Sequence, residues 1–347
     1  MPSMKLFHFM ALATLVALMA PSARAAEPTT QDVLTNLLNP TGVAIQPGTG
    51  AIFIADSGAL RVLRFDAKSQ KSETVINEFP KDVYGKGPKY DIGPLGLAFL
   101  DQNTLVVGDG GLPDGSELVR VYTVPAPGQK INADHMKQKL GPIAPGEDSQ
   151  KGEGNFYAVA VGAGGIYVTS NGDDTKGWIL KADRTPQGLG KLTPFIKTKV
   201  ATNVDAPVGI TTNKEGNLVV GQMGEINVPK DSLLTIYDPK SGSMLANAET
   251  GLYDIAGVAF SPKTGKLYAV DFAWMDTTQG GLFRLDMTNA GGKMTVKATK
   301  IVSLDKPSSL AFGPDGKIYV TLLGTAKEGA PADTRPGKLV TVVGEEL

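Results

Sequence analysis

Asp56, Asp109, Gln222 and Asp271 each close a short apolar run, in AIFIAD, TLVVGD, NLVVGQ and KLYAVD. Ser170 and Leu322 hold the same place in GIYVTS and KIYVTL. Carboxylate and amide oxygens collected in a ring suit a hard divalent cation such as calcium, or the hydroxyls of a sugar-like ligand. The same residue types also bond the N–H groups of their own turns. For Asp56, in ADSG, the turn reading is the simpler one. For Asp271 both readings stand, because the segment after it is long and carries Phe272, Trp274 and Asp276. Trp274 can stack on a ligand or cover an apolar edge.

Tyr84 lies in a basic and aromatic stretch with Lys81, Lys86, Lys89 and Tyr90, which reads as a solvated loop or as a site. Asn171 opens Asn171-Gly172-Asp173-Asp174, which shares part of a calcium-loop pattern but lacks its closing glutamate. The candidate binding set is therefore Asp56, Asp109, Asn171, Gln222, Asp271, Trp274, Asp276 and Tyr84, with Asp271 the candidate metal ligand. No residue is assigned as catalytic.

What the chain lacks narrows the chemistry further. It has no cysteine, which removes thiol nucleophiles, disulfides and Cys-based zinc sites. Of its two histidines, His8 lies in the N-terminal leader and His135 in the polar stretch NADHMKQK. Multi-histidine metal centres are excluded. Catalysis would rest on carboxylates, an oxygen-held metal, or Lys and Tyr.

The elements that position these residues repeat. PTGVAI at Pro40 recurs as PLGLAF at Pro94, FYAVAV at Phe156, PVGITT at Pro207, IAGVAF at Ile255 and PSSLAF at Pro307. Gly42, Gly96, Ala158, Gly209, Gly257 and Ser309 keep the third position small. Behind each anchor come a short turn, the run ending at the chemistry-bearing position, and a third strand such as RVLRFD or GLFRLD. Fourth strands are expected over Ser72–Phe79, Leu192–Lys197 and Val296–Ser303.

Six four-stranded units predict an all-β fold, a six-bladed β-propeller. The last unit shows three strands, and Val33–Asn39 stands before Pro40 as Lys300–Lys306 stands before Pro307. The N-terminal segment is thus expected to complete the last blade and close the ring. Turns between first and second strands are minimal, such as PGTG and DQN. Long loops (Gly110–Glu117, Met223–Ser232, Phe272–Gly280) and the connections Asn77–Gly93 and Gly141–Asn155 gather on the opposite face, which is expected to be the working one.

Met1–Ala25 reads as a signal peptide: Lys5, an apolar run Leu6–Ala20, and Ala23-Arg24-Ala25 before the cut. The chain from 26 to 347 is expected to be a single propeller domain with blades starting near 40, 94, 156, 207, 255 and 307. It is expected to be a monomer, secreted or periplasmic in a bacterium, with no transmembrane segment once the leader is removed. The whole chain has 34 basic and 35 acidic residues. Losing Lys5 and Arg24 leaves 32 against 35, net −3, so nothing points to nucleic acid.

PTGVAIQPGTGAIFIADSGALRVLRFD resembles an NHL repeat, and IAGVAFSPKTGKLYAVDF and PSSLAFGPDGKIYV resemble it more loosely. The resemblance spans all six units and implies a partner-binding, non-catalytic propeller. The wider group includes gluconolactonase-like (senescence-marker-protein) enzymes, which hold a divalent cation at the channel through an acidic and amide set. That likeness implies a Glu where Asn39-Pro40 stands, an Asn where Ile255-Ala256-Gly257 stands, and an Asp where Asp271 matches. The expectation is an exported propeller that binds a small-molecule or protein ligand through its long-loop face. The alternative is a divalent-metal-dependent hydrolase or lactonase, with calcium the candidate cofactor.

Overall fold

The computed structural model describes residues 28–344 except 86, 173–174 and 332. The leader and its cleavage site lie outside the described residues, as do Lys86, Asp173 and Asp174. The chain forms a ring of six antiparallel blades. Blade 1 runs outward from the axis through Pro40–Ile45, Ile52–Asp56, Arg61–Asp66 and Lys71–Asn77. Blade 2 uses Pro94–Asp101, Thr104–Asp109, Val119–Thr123 and Gln138–Leu140. Blade 3 uses Val159–Gly162, Gly165–Ser170, Trp178–Thr185 and Thr193–Lys197. Blade 4 is Pro207–Thr212, Leu218–Gln222, Leu233–Tyr237 and Met244–Glu249. Blade 5 is Ile255–Phe260, Leu267–Asp271, Gly281–Ala290 and Lys293–Ser303.

Blade 6 takes Pro307–Phe312, Ile318–Leu322 and Gly337–Val343 from the C-terminal end and Thr29–Leu37 from the N-terminal end. The two ends pair antiparallel, from Thr29 opposite Val343 to Leu37 opposite Gly337, so the ring closes. This strand starts earlier than Val33 and stops at Leu37. Asn36 and Asn39 adopt left-handed backbone (φ 61° and 48°) and turn the chain into blade 1.

Apolar packets fill the space between neighbouring blades. Phe53, Ala55 and Val62 of blade 1 meet Leu105, Val107 and Tyr122 of blade 2, for example. Each fully buried large side chain of this kind contributes about 1.5–3 kcal/mol. At the axis the crowding that demands small residues is between backbones. A Cβ on Gly209 would lie 2.9 Å from Gly257 Cα, and one on Gly96 would lie 2.7 Å from Tyr157 O. Hydroxyls stitch the same seam: Thr41 Oγ1 donates to Pro94 O at 3.2 Å and Ser308 Oγ to Pro40 O at 2.7 Å. Among the described residues no helix is long and apolar enough to cross a membrane.

Candidate functional site

The second-strand ends bear loads within their own blades. Asp56 accepts from Leu38 N–H at 2.7 Å and from Arg61 Nε at 2.8 Å. Asp109 accepts from Arg120 Nη2 at 2.8 Å and Gly111 N–H at 3.2 Å. Gln222 Nε2 donates to Val204 O at 2.6 Å. Asp271 accepts from Asp254 N–H at 2.8 Å, Tyr253 N–H at 2.9 Å and Ala273 N–H at 3.2 Å. All four are buried. Burial pushes the Asp56, Asp109 and Asp271 carboxyls up, against the pull of these donors. Except at Asp109, whose partners lie in its own loop and third strand, the bonds reach the connection that enters the same blade's inner strand. Asp276 caps its own turn, accepting from Thr278 Oγ1 at 2.5 Å.

The cavity at the channel mouth is lined instead by the residue one step further along. Asn171, Met223, Phe272 and Leu323 follow the second-strand ends Ser170, Gln222, Asp271 and Leu322, and all four line it. The inner strands supply Thr41, Leu95, Tyr157 and Val208, each the second residue of its anchor hexapeptide. Alternate residues of an extended chain face opposite ways. The side chain that ends the strand turns into the blade, and the next one faces the axis. Of the sequence candidates, Tyr84, Asn171 and Trp274 come together at the cavity; Asp56, Asp109, Gln222, Asp271 and Asp276 are not part of its lining. Asn39, Thr41, Asn155, Tyr157 and Phe272 also line it and are not in the candidate set. The signal for Asn39, Thr41, Asn155 and Tyr157 is the anchor repeat, one residue to either side of its first position, and for Phe272 the residue after the second-strand end.

The connection between blades 1 and 2 folds into a hairpin, Asp82–Tyr84 against Tyr90–Ile92, with Tyr84 opposite Tyr90. It reaches across the mouth to blade 5. Tyr90 meets Trp274 edge-on at 5.5 Å between ring centroids, Tyr84 lies 6.2 Å from Trp274, and Phe272 lies 4.5 Å from Trp274. Of the two readings of this basic and aromatic stretch, a solvated loop or a site, each describes part of it: its two tyrosines turn inward and Lys81 stays on the surface, paired with Asp91 at 3.1 Å. Asn39 Nδ2 ties the hairpin's base by donating to Asp91 O at 3.0 Å. Beneath it, Tyr157 crosses the axis and donates from its hydroxyl to Ser308 O of blade 6 at 3.2 Å, closing the floor.

The cavity is about 50 Å³, room for a few waters at about 10–15 Å³ each. Among the described residues no charged side chain lines it. Tyr90 OH and Trp274 Nε1 are buried without a hydrogen-bond partner. Burial, helped by the Asp305 charge, pushes the Tyr90 hydroxyl up to about 12. Outside the hairpin a vestibule of about 530 Å³ shares Tyr84, Asn171 and Met223 and adds Asp205, Glu225, Asn227 and Met275. Lys199 sits beside it, 2.7 Å from Asp205 and 3.7 Å from Glu225. On the short-turn face an open groove of about 800 Å³ runs between blades 1 and 2, where Arg64 is held by Glu73 and Pro125 O.

No family model and no curated protein matches this chain. Solved structures share its architecture. A glucose dehydrogenase-type oxidoreductase from Thermus thermophilus is 17% identical over 91% of this chain and 100% of its own, with TM-score 0.61. The PQQ-bound aldose sugar dehydrogenase of Streptomyces coelicolor is 15% identical over 93% and 100%, with TM-score 0.58. A gluconolactonase from Xanthomonas campestris is 13% identical over 93% and 91%, with TM-score 0.55. At these identities the likeness is one of fold.

Proposed function

We propose that the protein is exported and that its channel mouth binds a small uncharged ring compound carrying hydroxyl or carbonyl oxygens, of the class of sugars and sugar lactones. The observation that carries this reading is the pair of buried polar atoms without partners, Tyr90 OH and Trp274 Nε1–H, at an otherwise aromatic wall. A buried donor left unpaired costs about 1–3 kcal/mol, which an oxygen-bearing ligand would relieve. Tyr84, Phe272 and Trp274 offer ring faces to stack on, and the amides of Asn39, Asn155 and Asn171 supply further donors and acceptors. An uncharged lining disfavours anions and cations alike. The cavity as closed is too small for a sugar, so binding includes movement of the hairpin or entry from the vestibule. Structural neighbours named for glucose, aldose sugars and gluconolactone support the same ligand class.

The second reading, a metal-dependent lactone hydrolase, is favoured by the gluconolactonase neighbour. The residues do not fit that metal set. Asn39-Pro40 and Ala256 stand at two of its positions, and the Asp271 carboxylate is already taken up by three backbone N–H groups. Among the described residues no three acidic or histidine side chains converge to hold a metal. A carboxylated quinone does not fit the cavity either, since no Lys or Arg among the described residues lines it. Hydrolysis without a metal would draw on Asp205 or Glu225 as general base.

Trp178 and Trp274 are the two tryptophans of the chain, so a Trp178→Phe variant makes Trp274 the sole tryptophan reporter. Titration with glucose and glucono-lactone should change its emission saturably, and Tyr90→Phe should weaken binding about 2–10-fold, one neutral hydrogen bond. Tighter binding of gluconate than of glucose, or no response to either, would contradict the reading. Acid release from the lactone that vanishes in Asp205→Asn would favour the hydrolase.

A further inference from the structure

Behind the channel wall, between blades 2 and 3, lies an acidic niche unrelated to the second-strand ring. Glu117 ends the long loop of blade 2 and is fully buried. Its Oε2 accepts the backbone N–H of Asn155, while its Oε1 has no hydrogen-bond partner. Asp114, from the same loop, places Oδ1 3.5 Å from Asn155 Nδ2. Both carboxylates converge on Gly154. A Cβ there would collide with Glu117 Oε2 and lie 2.6 Å from Asp114 Oδ1. Gly154, with no side chain, thus lets two carboxylates close on the same stretch of backbone.

Arg120, in the third strand of blade 2, is committed elsewhere. Arg120 gives Nε and Nη2 to Asp109, at 3.0 and 2.8 Å, and Nη1 to Ala133 O at 3.3 Å. An anionic oxygen buried without a partner is unfavourable unless a positive charge compensates it.

We infer that Glu117 and Asp114 form a binding site for a hard divalent cation, calcium in particular. Two carboxylates supply the charged part of the all-oxygen sphere calcium prefers, with water to complete it. The Asn155 amide can add its oxygen by turning over. Burial, reinforced by the charges of Asp109 and Asp114, lifts the Glu117 carboxyl to about 9 when no cation is near. Two acidic ligands place the site among weak calcium sites, with Kd about 0.1–1 mM. It is separate from the channel ligand, although Asn155 borders both: calcium would hold Asn155 and, with it, one side of the channel mouth.

The test is calcium titration of the EGTA-treated mature protein, followed by calorimetry and thermal melting, in the wild type, Glu117→Gln and Asp114→Asn. Wild type should bind one calcium and gain about 2–4 °C in Tm at about 10 mM. Glu117→Gln should weaken binding at least about 10-fold, with Asp114→Asn weaker than wild type as well. Without calcium, Glu117→Gln should melt no lower than wild type at pH 7, because the buried carboxyl keeps its proton there and the amide is a neutral replacement of the same shape. That control separates loss of the site from loss of the fold. Absence of calcium binding by the wild type, or binding that persists unchanged in Glu117→Gln, overturns the inference.

Discussion

Asp254 precedes the inner strand of blade 5 and is 2% exposed. Its Oδ2 accepts the Trp274 backbone N–H at 2.7 Å, and its Oδ1 has no partner. Burial, with the charges of Asp271 and Asp231 added, raises its carboxyl from 3.8 to about 7. The folded protein then keeps a proton that the unfolded chain has lost. Between about pH 4 and 7 the folded state binds more protons, so stability falls as pH rises. Holding that proton up to about pH 7 makes a penalty of about 4 kcal/mol once pH exceeds 7, of which about 3 kcal/mol develops between pH 5 and 8. Asp254→Asn keeps an acceptor for Trp274 N–H and has no charge to bury. Urea unfolding at pH 5 and pH 8 should show the variant gaining on the wild type by about 3 kcal/mol across that interval. Comparing the two proteins cancels contributions from Glu117, which both retain. A difference between them that is the same at both pH values would refute this linkage.

Three further outcomes follow from the fold and the site. Removing residues 26–39 takes away the outer strand of blade 6, and the truncated protein should melt well below the mature form by calorimetry; equal Tm values would mean the ring does not depend on that pairing. Gly209→Leu forces a side chain into the Gly257 backbone and should lower stability by about 1–3 kcal/mol or more in a denaturant titration; a neutral result would place Gly209 away from the seam. Trp274→Ala removes the ring on which Tyr84 and Tyr90 rest, so limited proteolysis should cut the Asp82–Ile92 hairpin faster than in the wild type; unchanged cleavage would mean the hairpin is held by its base alone.

The fold was legible because its signals are repeated. One anchor hexapeptide, one small residue and one apolar run recur in step, and the unpaired segment before Pro40 showed how the ring closes. The site was legible only in part. Tyr84, Asn171 and Trp274 were singled out and do line the cavity, yet the most conspicuous polar positions, Asp56, Asp109 and Asp271, are taken up in holding connections, a loop and an arginine. A single sequence shows that an Asp ends a strand; it does not show which side of the strand that Asp faces. The register that decides this is shifted at the start of several inner strands, as between Pro207 and Gly209 and between Ile255 and Gly257. The Tyr90–Trp274 contact was beyond reach for another reason: it joins a connection after blade 1 to a loop of blade 5, far apart in the chain. Glu117 gave no signal because its burial comes from a connection well downstream, at Gly154 and Asn155.

The most direct test of ligand binding at the channel mouth is a crystal structure of the protein soaked in glucose. Ligand density is expected at the channel mouth, with an oxygen of the sugar within about 3 Å of Trp274 Nε1 or Tyr90 OH and the Asp82–Ile92 hairpin displaced from its position over Phe272. Sugar bound only in the groove between blades 1 and 2 on the short-turn face, with Tyr90 and Trp274 still unpaired, would contradict it.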